Sequence, residues 1–308
     1  MSGRVRTTVA SLAVVAALGG CGFGPGPGTG GVSVIVTQGF GSRSVASRTA
    51  GHVPGSETVM RMLERSFRVQ TRYGGGFVES IDGRSGGGGQ TDWFYYVNGV
   101  QAPQGAATTA VNRGDQIWFD LHDWRATESI PAVVGSFPEP FVHGVGGKRF
   151  PTTLECAGNV KTACQRVTAA LSAARVPVAG QLIGTGSGPD TLGVVVGTWR
   201  ELQSEVAASL IDHGPSASGV YARFSGPSGT ALELLGPGGQ VVRTLGAGAG
   251  LIAATADSTS EPTWLITGTD AAGVSAAASA LTQRALHDHF ALAVQGSTRL
   301  PLPLQALR

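Results

Sequence analysis

The chain is 308 residues long, carries a formal charge of +2 with 14% charged residues, and contains 48 glycines. That balance provides no basic stripe for nucleic acid and no acidic tail, and the length allows two domains of ordinary size. Glycine motifs carry little weight against this background, whereas the aromatics, 6% of the chain, are informative where they gather.

Residues 1–20 read as a lipoprotein signal peptide. Arg4 and Arg6 form a positive start, and the apolar run that follows is too short to span a bilayer. Leu18-Gly19-Gly20-Cys21 then has the form of a lipobox. Cys21 is expected to carry a diacylglycerol, with a further chain such as palmitate on its amine, because several acyl chains together hold a protein on a membrane. The expected location is the extracytoplasmic face of the cell membrane. The alternative is an ordinary secretory signal with an incidental cysteine. Residues 21–31 are rich in Gly and Pro and make a tether.

Residues 32–36 suit a β-branched strand. Ser56, behind Pro54-Gly55, is placed to cap a helix in which Val59, Met62, Leu63 and Phe67 share a face. Arg61, Arg65, Arg68 and Arg72 fall mostly on the opposite, solvated face. A strand over 77–81 closes at Asp82-Gly83. The aromatic strand over 93–97 puts Trp93, Tyr95 and Val97 on one side and Phe94 and Tyr96 on the other. Asn98-Gly99 suits a type I′ hairpin turn. In the last strand Ile117, Phe119 and Leu121 oppose Gln116, Trp118 and Asp120. Tyr95 and Phe119 are expected in the core. Tyr96, Trp118 and Trp124 are expected on an exposed ligand-binding face, with His122 at the strand end to orient a ligand.

Behind a strand and a helix, the blocks Phe-Val-x-Ser-Ile, Trp-Phe-Tyr-Tyr-Val-Asn-Gly and Gly-Asp-x-Ile-Trp resemble the carboxy-terminal domain of transcobalamin and intrinsic factor over residues 32–125. Many bacterial surface lipoproteins carry a similar module of unknown function. The resemblance implies a β-grasp-like domain with one helix, and it makes a corrinoid such as cobalamin the first ligand to test. In the vitamin carriers this domain closes over the corrinoid against a helical barrel, and this sequence contains no such barrel.

Residues 126–150, with Pro131, Pro138 and Pro140, read as a linker. An α/β layered domain is expected over 151–294, followed by a tail over 295–308, so the whole chain is α+β. A helix over 161–175 follows a cysteine loop. Two strand–Gly-Thr–helix units come next, with strands at 192–196 and 263–267 and helices at 199–211 and 270–286. Thr198 and Glu201 have the spacing of a capping box. Further strands are expected at 220–224, 231–235, 241–245 and 251–255. With Cys21 taken by lipid, Cys156 and Cys164 are expected to form a disulfide in an oxidising medium, one cysteine ahead of the helix and the other within it. The rival, a metal site, needs more ligands than two thiolates.

No catalytic constellation emerges. Gly83-Arg84-Ser85-Gly86-Gly87 lies in a glycine loop between strands rather than on a nucleophile elbow. Gly184-Thr185-Gly186-Ser187-Gly188 leads into a strand and lacks a Walker lysine. His287 and His289 point about 200° apart on a helix, so they do not share a metal there. The function expected is therefore a non-catalytic, membrane-anchored binding module for a small ligand, linked to an uptake transporter, with no metal and no nucleic-acid partner. The alternative is a structural or adhesive envelope protein that contacts wall polymers or other proteins. A hydrolase ranks third.

Overall fold

The structure is a computed structural model that describes residues 31–86, 89–257 and 260–305. The signal segment, Cys21 and most of the tether lie outside the described residues, as does Gly87 of the glycine loop. Among the described residues no helix is long and apolar enough to cross a membrane.

The first half runs β1 (Val32–Gln38), β2 (Arg43–Ala50), α1 (Val59–Ser66), β3 (Val69–Arg72), β4 (Phe77–Ile81), β5 (Arg84–Ser85), β6 (Thr91–Val97), β7 (Val100–Gln101) and β8 (Gln116–Asp123). Five strands form a mixed sheet in the order β2-β1-β8-β6-β7, and β3-β4-β5 form a separate small sheet. The β1–β8 pair is parallel and its neighbours are antiparallel. Alternation along the strands decides which residues go inward. Val34, Val36, Trp93, Ile117 and Phe119 pack beneath α1 with Met62 and Leu63. The helix starts at Thr58, whose hydroxyl accepts the Arg61 N–H at 3.3 Å. Ser56 is therefore not the cap; it lies in the turn ahead of the helix, and Thr58 has the extended backbone an N-cap requires. The turn at Asn98-Gly99 has φ of 54° and 74°, as a type I′ hairpin demands.

The second half runs β9 (Thr152–Cys156), α2 (Lys161–Ala173), β10 (Val178–Gln181), β11 (Leu192–Thr198), α3 (Trp199–Leu202), α4 (Val206–Asp212), α5 (Pro215–Ser218), β12 (Ala222–Ser225), β13 (Ala231–Leu235), β14 (Val241–Leu245), β15 (Ala249–Thr255), β16 (Thr263–Gly268), α6 (Ala271–Ala280), α7 (Gln283–Leu286), β17 (Ala291–Gln295) and β18 (Thr298–Leu302). Seven strands order as β10-β9-β11-β16-β15-β17-β18, the first four parallel and the rest antiparallel. Residues of α2 and α6 share one core with the inner faces of β11 and β16. The opposite face joins α3, α4 and the β12-β13-β14 sheet in a second core. Cys156 ends β9 and bonds Cys164 in the first turn of α2, Cα to Cα 6.0 Å.

Four further expectations change. The helix expected over 199–211 is two helices, because Glu205 takes an extended backbone and its carboxylate is drawn aside. The helix expected over 270–286 breaks where extended Thr282 caps α7 by accepting the Ala285 N–H. The segment 126–150 is no free linker: Val133 enters one core, and Val134, Phe137 and Phe141 enter the other against Trp264. The tail contributes an edge strand, since β18 pairs with β17.

Candidate functional site

The polar blocks of the first half turn out to be joinery. Asn98, fully buried, donates from Nδ2 to Asp115 Oδ1 and to the Gly144 carbonyl, both at 2.9 Å. Its Oδ1 accepts the Gln116 N–H at 2.9 Å, and Asp115 Oδ2 accepts the Asn112 N–H at 2.6 Å. Burial pushes the Asp115 carboxyl up and these donors pull it back. The Asn-Gly and Gly-Asp motifs thus pin the β6–β7 turn to the start of β8.

The expected ligand face is also structural. Tyr96, Trp118 and His122 are 0%, 1% and 2% exposed, which corrects the expectation that they stand open. Phe290, just before β17, fills the space in front of them. Its ring meets Tyr96, Trp118, His122 and Phe40 edge-on at 5.2–5.5 Å between centroids. His122 lies stacked between Phe40 and Phe94, at 4.5 and 4.4 Å. Beneath them Asp120 accepts the N–H groups of Phe40 and Gly41 at 2.9 Å and pairs with His122 Nδ1 at 2.9 Å; it also accepts the Thr37 hydroxyl. Trp118 Nε1 donates to Thr37 Oγ1 at 2.7 Å. Gly41 needs its hydrogen here, because a Cβ would sit 1.7 Å from the Asp288 carbonyl oxygen. Aromatic packing around the hydrogen-bonded Asp120 makes this a seam between the halves, although the buried Tyr96 and Tyr221 hydroxyls have no partner there.

The open concavity lies along β6 of the same sheet, beyond the end of β7. A cavity of about 510 Å³ is lined by Phe77, Trp93, Phe94, Tyr95, Phe119 and Trp124, with Asp92 and Glu128 as its only charged groups. Trp124 is half-buried and is the one expected ligand residue that reaches it. Four consecutive residues of β6 contribute because the cavity runs along the strand's edge. β7 pairs only with Tyr96 and Val97, after which Ala102-Pro103 ends the strand. Trp93 Nε1 donates to the Arg84 carbonyl and the Tyr95 hydroxyl bonds Thr109 Oγ1 at 2.8 Å, which fixes both rings. Burial pushes the Asp92 carboxyl up, and Arg72 opposes that. Sequence reasoning missed Phe77, Asp92 and Glu128. The usable signal was the return strand cut short by Pro103 beside a run of four consecutive aromatics.

A second cavity, of about 330 Å³, holds Glu155 and Glu205. These side chains are 2% and 6% exposed and both accept the Gly184 N–H, at 2.9 and 2.7 Å. Burial raises the Glu155 carboxyl, Glu205 raises it further, and backbone N–H groups of residues 184–186 pull it down. The Gly184–Gly188 loop, which lacks a Walker lysine, therefore spends its N–H groups on the protein's own carboxylates. Among the described residues no group of three or more His, Cys, Asp or Glu can hold a metal ion. His287 and His289 lie beyond α7. The His287 imidazole faces Asp288, whereas His289 is turned inward and burial lowers its pKa.

The chain is thus an α+β protein whose first sheet carries an aromatic cavity on an unfinished edge. A family described as a domain of unknown function (DUF4430) matches residues 56–123, the stretch from the approach to α1 through the end of β8. No curated protein and no solved structure matches the chain.

Proposed function

We propose that this protein is a lipid-anchored extracytoplasmic binding module that holds its ligand, without chemistry, in the aromatic cavity along β6. The observation that carries this reading is the cavity itself. It is concave and mostly apolar, its Trp93 and Tyr95 rings are held by hydrogen bonds, and a few polar groups converge on it, as in preformed ligand sites. The resemblance to the vitamin carriers makes a corrinoid the first small ligand to try and delivery to an uptake transporter the natural role. An adhesive envelope protein would use the same cavity as a contact surface. A hydrolase has weaker support, since Glu155 and Glu205 already accept internal N–H groups.

The test is native mass spectrometry of the full chain purified from the membranes of its own host, beside a variant carrying Phe77→Ala and Trp124→Ala. The wild type should carry an extra mass that the variant lacks, and cobalamin added to the empty protein separates the corrinoid from other ligands. Equal masses in both proteins would end the cavity reading. Replacing Cys21 with Ala should release the protein from membranes or leave it uncleaved, and unchanged fractionation would end the anchor.

A further inference from the structure

Every antiparallel strand alternates the side to which its amide groups point. In β6 the phase is set at both ends. Asn98 donates its N–H to the Gln116 carbonyl, and the Gln90 carbonyl accepts the Trp124 N–H, so even-numbered residues of β6 bond toward β8. Odd-numbered residues point away. Val97 spends its groups on Val100 of β7. Near the other end Gly86 covers the Thr91 carbonyl, so closely that a Cβ there would sit 2.1 Å from it. Between them the N–H and C=O of Trp93 and the N–H of Tyr95 point away from β8, where β7 no longer runs; the pairing of Tyr96 with Gln101 places the Tyr95 carbonyl against Ala102, the last group β7 meets.

An unpaired edge of this kind is normally blunted by a charge, a bulge or a covering loop. Here it is flanked by apolar rings instead. The cavity's only charges are Asp92 and Glu128, and no Arg, Lys or His lines it. Arg72, the nearest cation to act on Asp92, is already bonded to Glu79 at 2.5 Å. Three backbone groups in strand register, apolar walls and a lining whose only charges are negative describe one kind of occupant. We infer that the cavity takes an extended peptide segment that adds to β6 as a strand, sets aliphatic side chains against Phe77, Trp93 and Trp124, and presents lysine or arginine to Asp92 and Glu128. This is strand addition at a sheet edge, where backbone bonds supply affinity and alternate side chains supply selectivity. The inference rests on the cavity reading above and names its ligand as a polypeptide of a partner protein.

The test uses the full chain labelled with nitrogen-15 at tryptophan and tyrosine only, which leaves five and four backbone amides to resolve. The probe is a pool of acetylated, amidated hexapeptides that alternate Val, Ile or Leu with Lys or Arg. The Trp93 and Tyr95 amides should shift and exchange more slowly, while the Trp264 amide stays still. Methylating alternate backbone nitrogens of the peptides should weaken binding about tenfold, since two bonds are lost. Asp92→Asn with Glu128→Gln should weaken it about fivefold to tenfold and remove its salt dependence. Unmoved Trp93 and Tyr95 amides, or equal binding of the methylated pool, would overturn the inference. If the peptides fail while Phe77→Ala with Trp124→Ala still strips a host-derived mass, the cavity reading stands and only the peptide is wrong. If neither responds, both fall.

Discussion

Trp118 and Phe119 are adjacent on β8 and point to opposite faces, yet both are about 1% exposed. Phe119 lies over Tyr95 in the core beneath α1, and Trp118 lies against Phe290 in the seam. Truncating either to Ala removes a buried ring and leaves a cavity, at a cost of about 3–5 kcal/mol. Trp124→Ala empties part of an open cavity instead and should leave the melting temperature within a degree or two of wild type. Circular-dichroism melts of the three variants check this ordering, and a Trp118→Ala protein as stable as wild type would contradict the seam. Glu155 makes a pH prediction. Its carboxyl sits above the usual range because burial, and then Glu205, disfavour the charge. Its contribution therefore favours the fold below the unfolded value of about 4.3 and fades as pH rises through the higher folded value. Glu155→Gln should raise the melting temperature at pH 8, by about 2–4 °C for each kcal/mol of strain relieved, and the gain should vanish near pH 4. A gain that grows on acidification would reverse the sign.

At the level of elements, what the sequence made legible was periodicity. The alternation in β6 and β8 assigns every face correctly, the Asn98-Gly99 turn follows from its φ requirement, and the capping box at Thr198 appears as spaced. Two long helical patterns were over-read, because Glu205 and Thr282 fit a helix by pattern but are held extended by caps and by contacts from distant residues. The burial of Tyr96 and Trp118 was hidden for a related reason. Polar strand partners such as Asp120 signal exposure locally, but here they are satisfied internally by Phe40, Gly41 and His122 and covered by Phe290. The disulfide was legible from cysteine number and turn residues alone. It closes a short loop between β9 and α2, so reducing it should cost about 2–3 kcal/mol. Thermal melts with and without a reductant measure that, and thiol counting on unfolded, unreduced protein should find Cys156 and Cys164 protected.

For the whole molecule the seam outranks the domain boundary that composition suggested. One hydrophobic cluster contains Ile35, Phe40, Tyr96 and Trp118 from the first half and Tyr221, Leu235, Leu251 and Phe290 from the second. The segment between the halves is itself buried in both cores. The protein should therefore unfold in a single transition. Phe290→Ala should lower its midpoint by the cost of a lost core aromatic, about 3–5 kcal/mol, and split denaturant curves followed by near-ultraviolet and far-ultraviolet signals. Coincident curves for that variant would show that the halves are joined by more than this contact.

Phe290 comes late in the chain. A polypeptide emerges amino terminus first, so every residue of the first sheet is available before the ring that closes its back face has been made. During that interval Phe40, Tyr96, Trp118 and His122 lack the ring they pack against in the finished fold. A message cut short before that codon yields a product in which these four rings have no Phe290 to cover them.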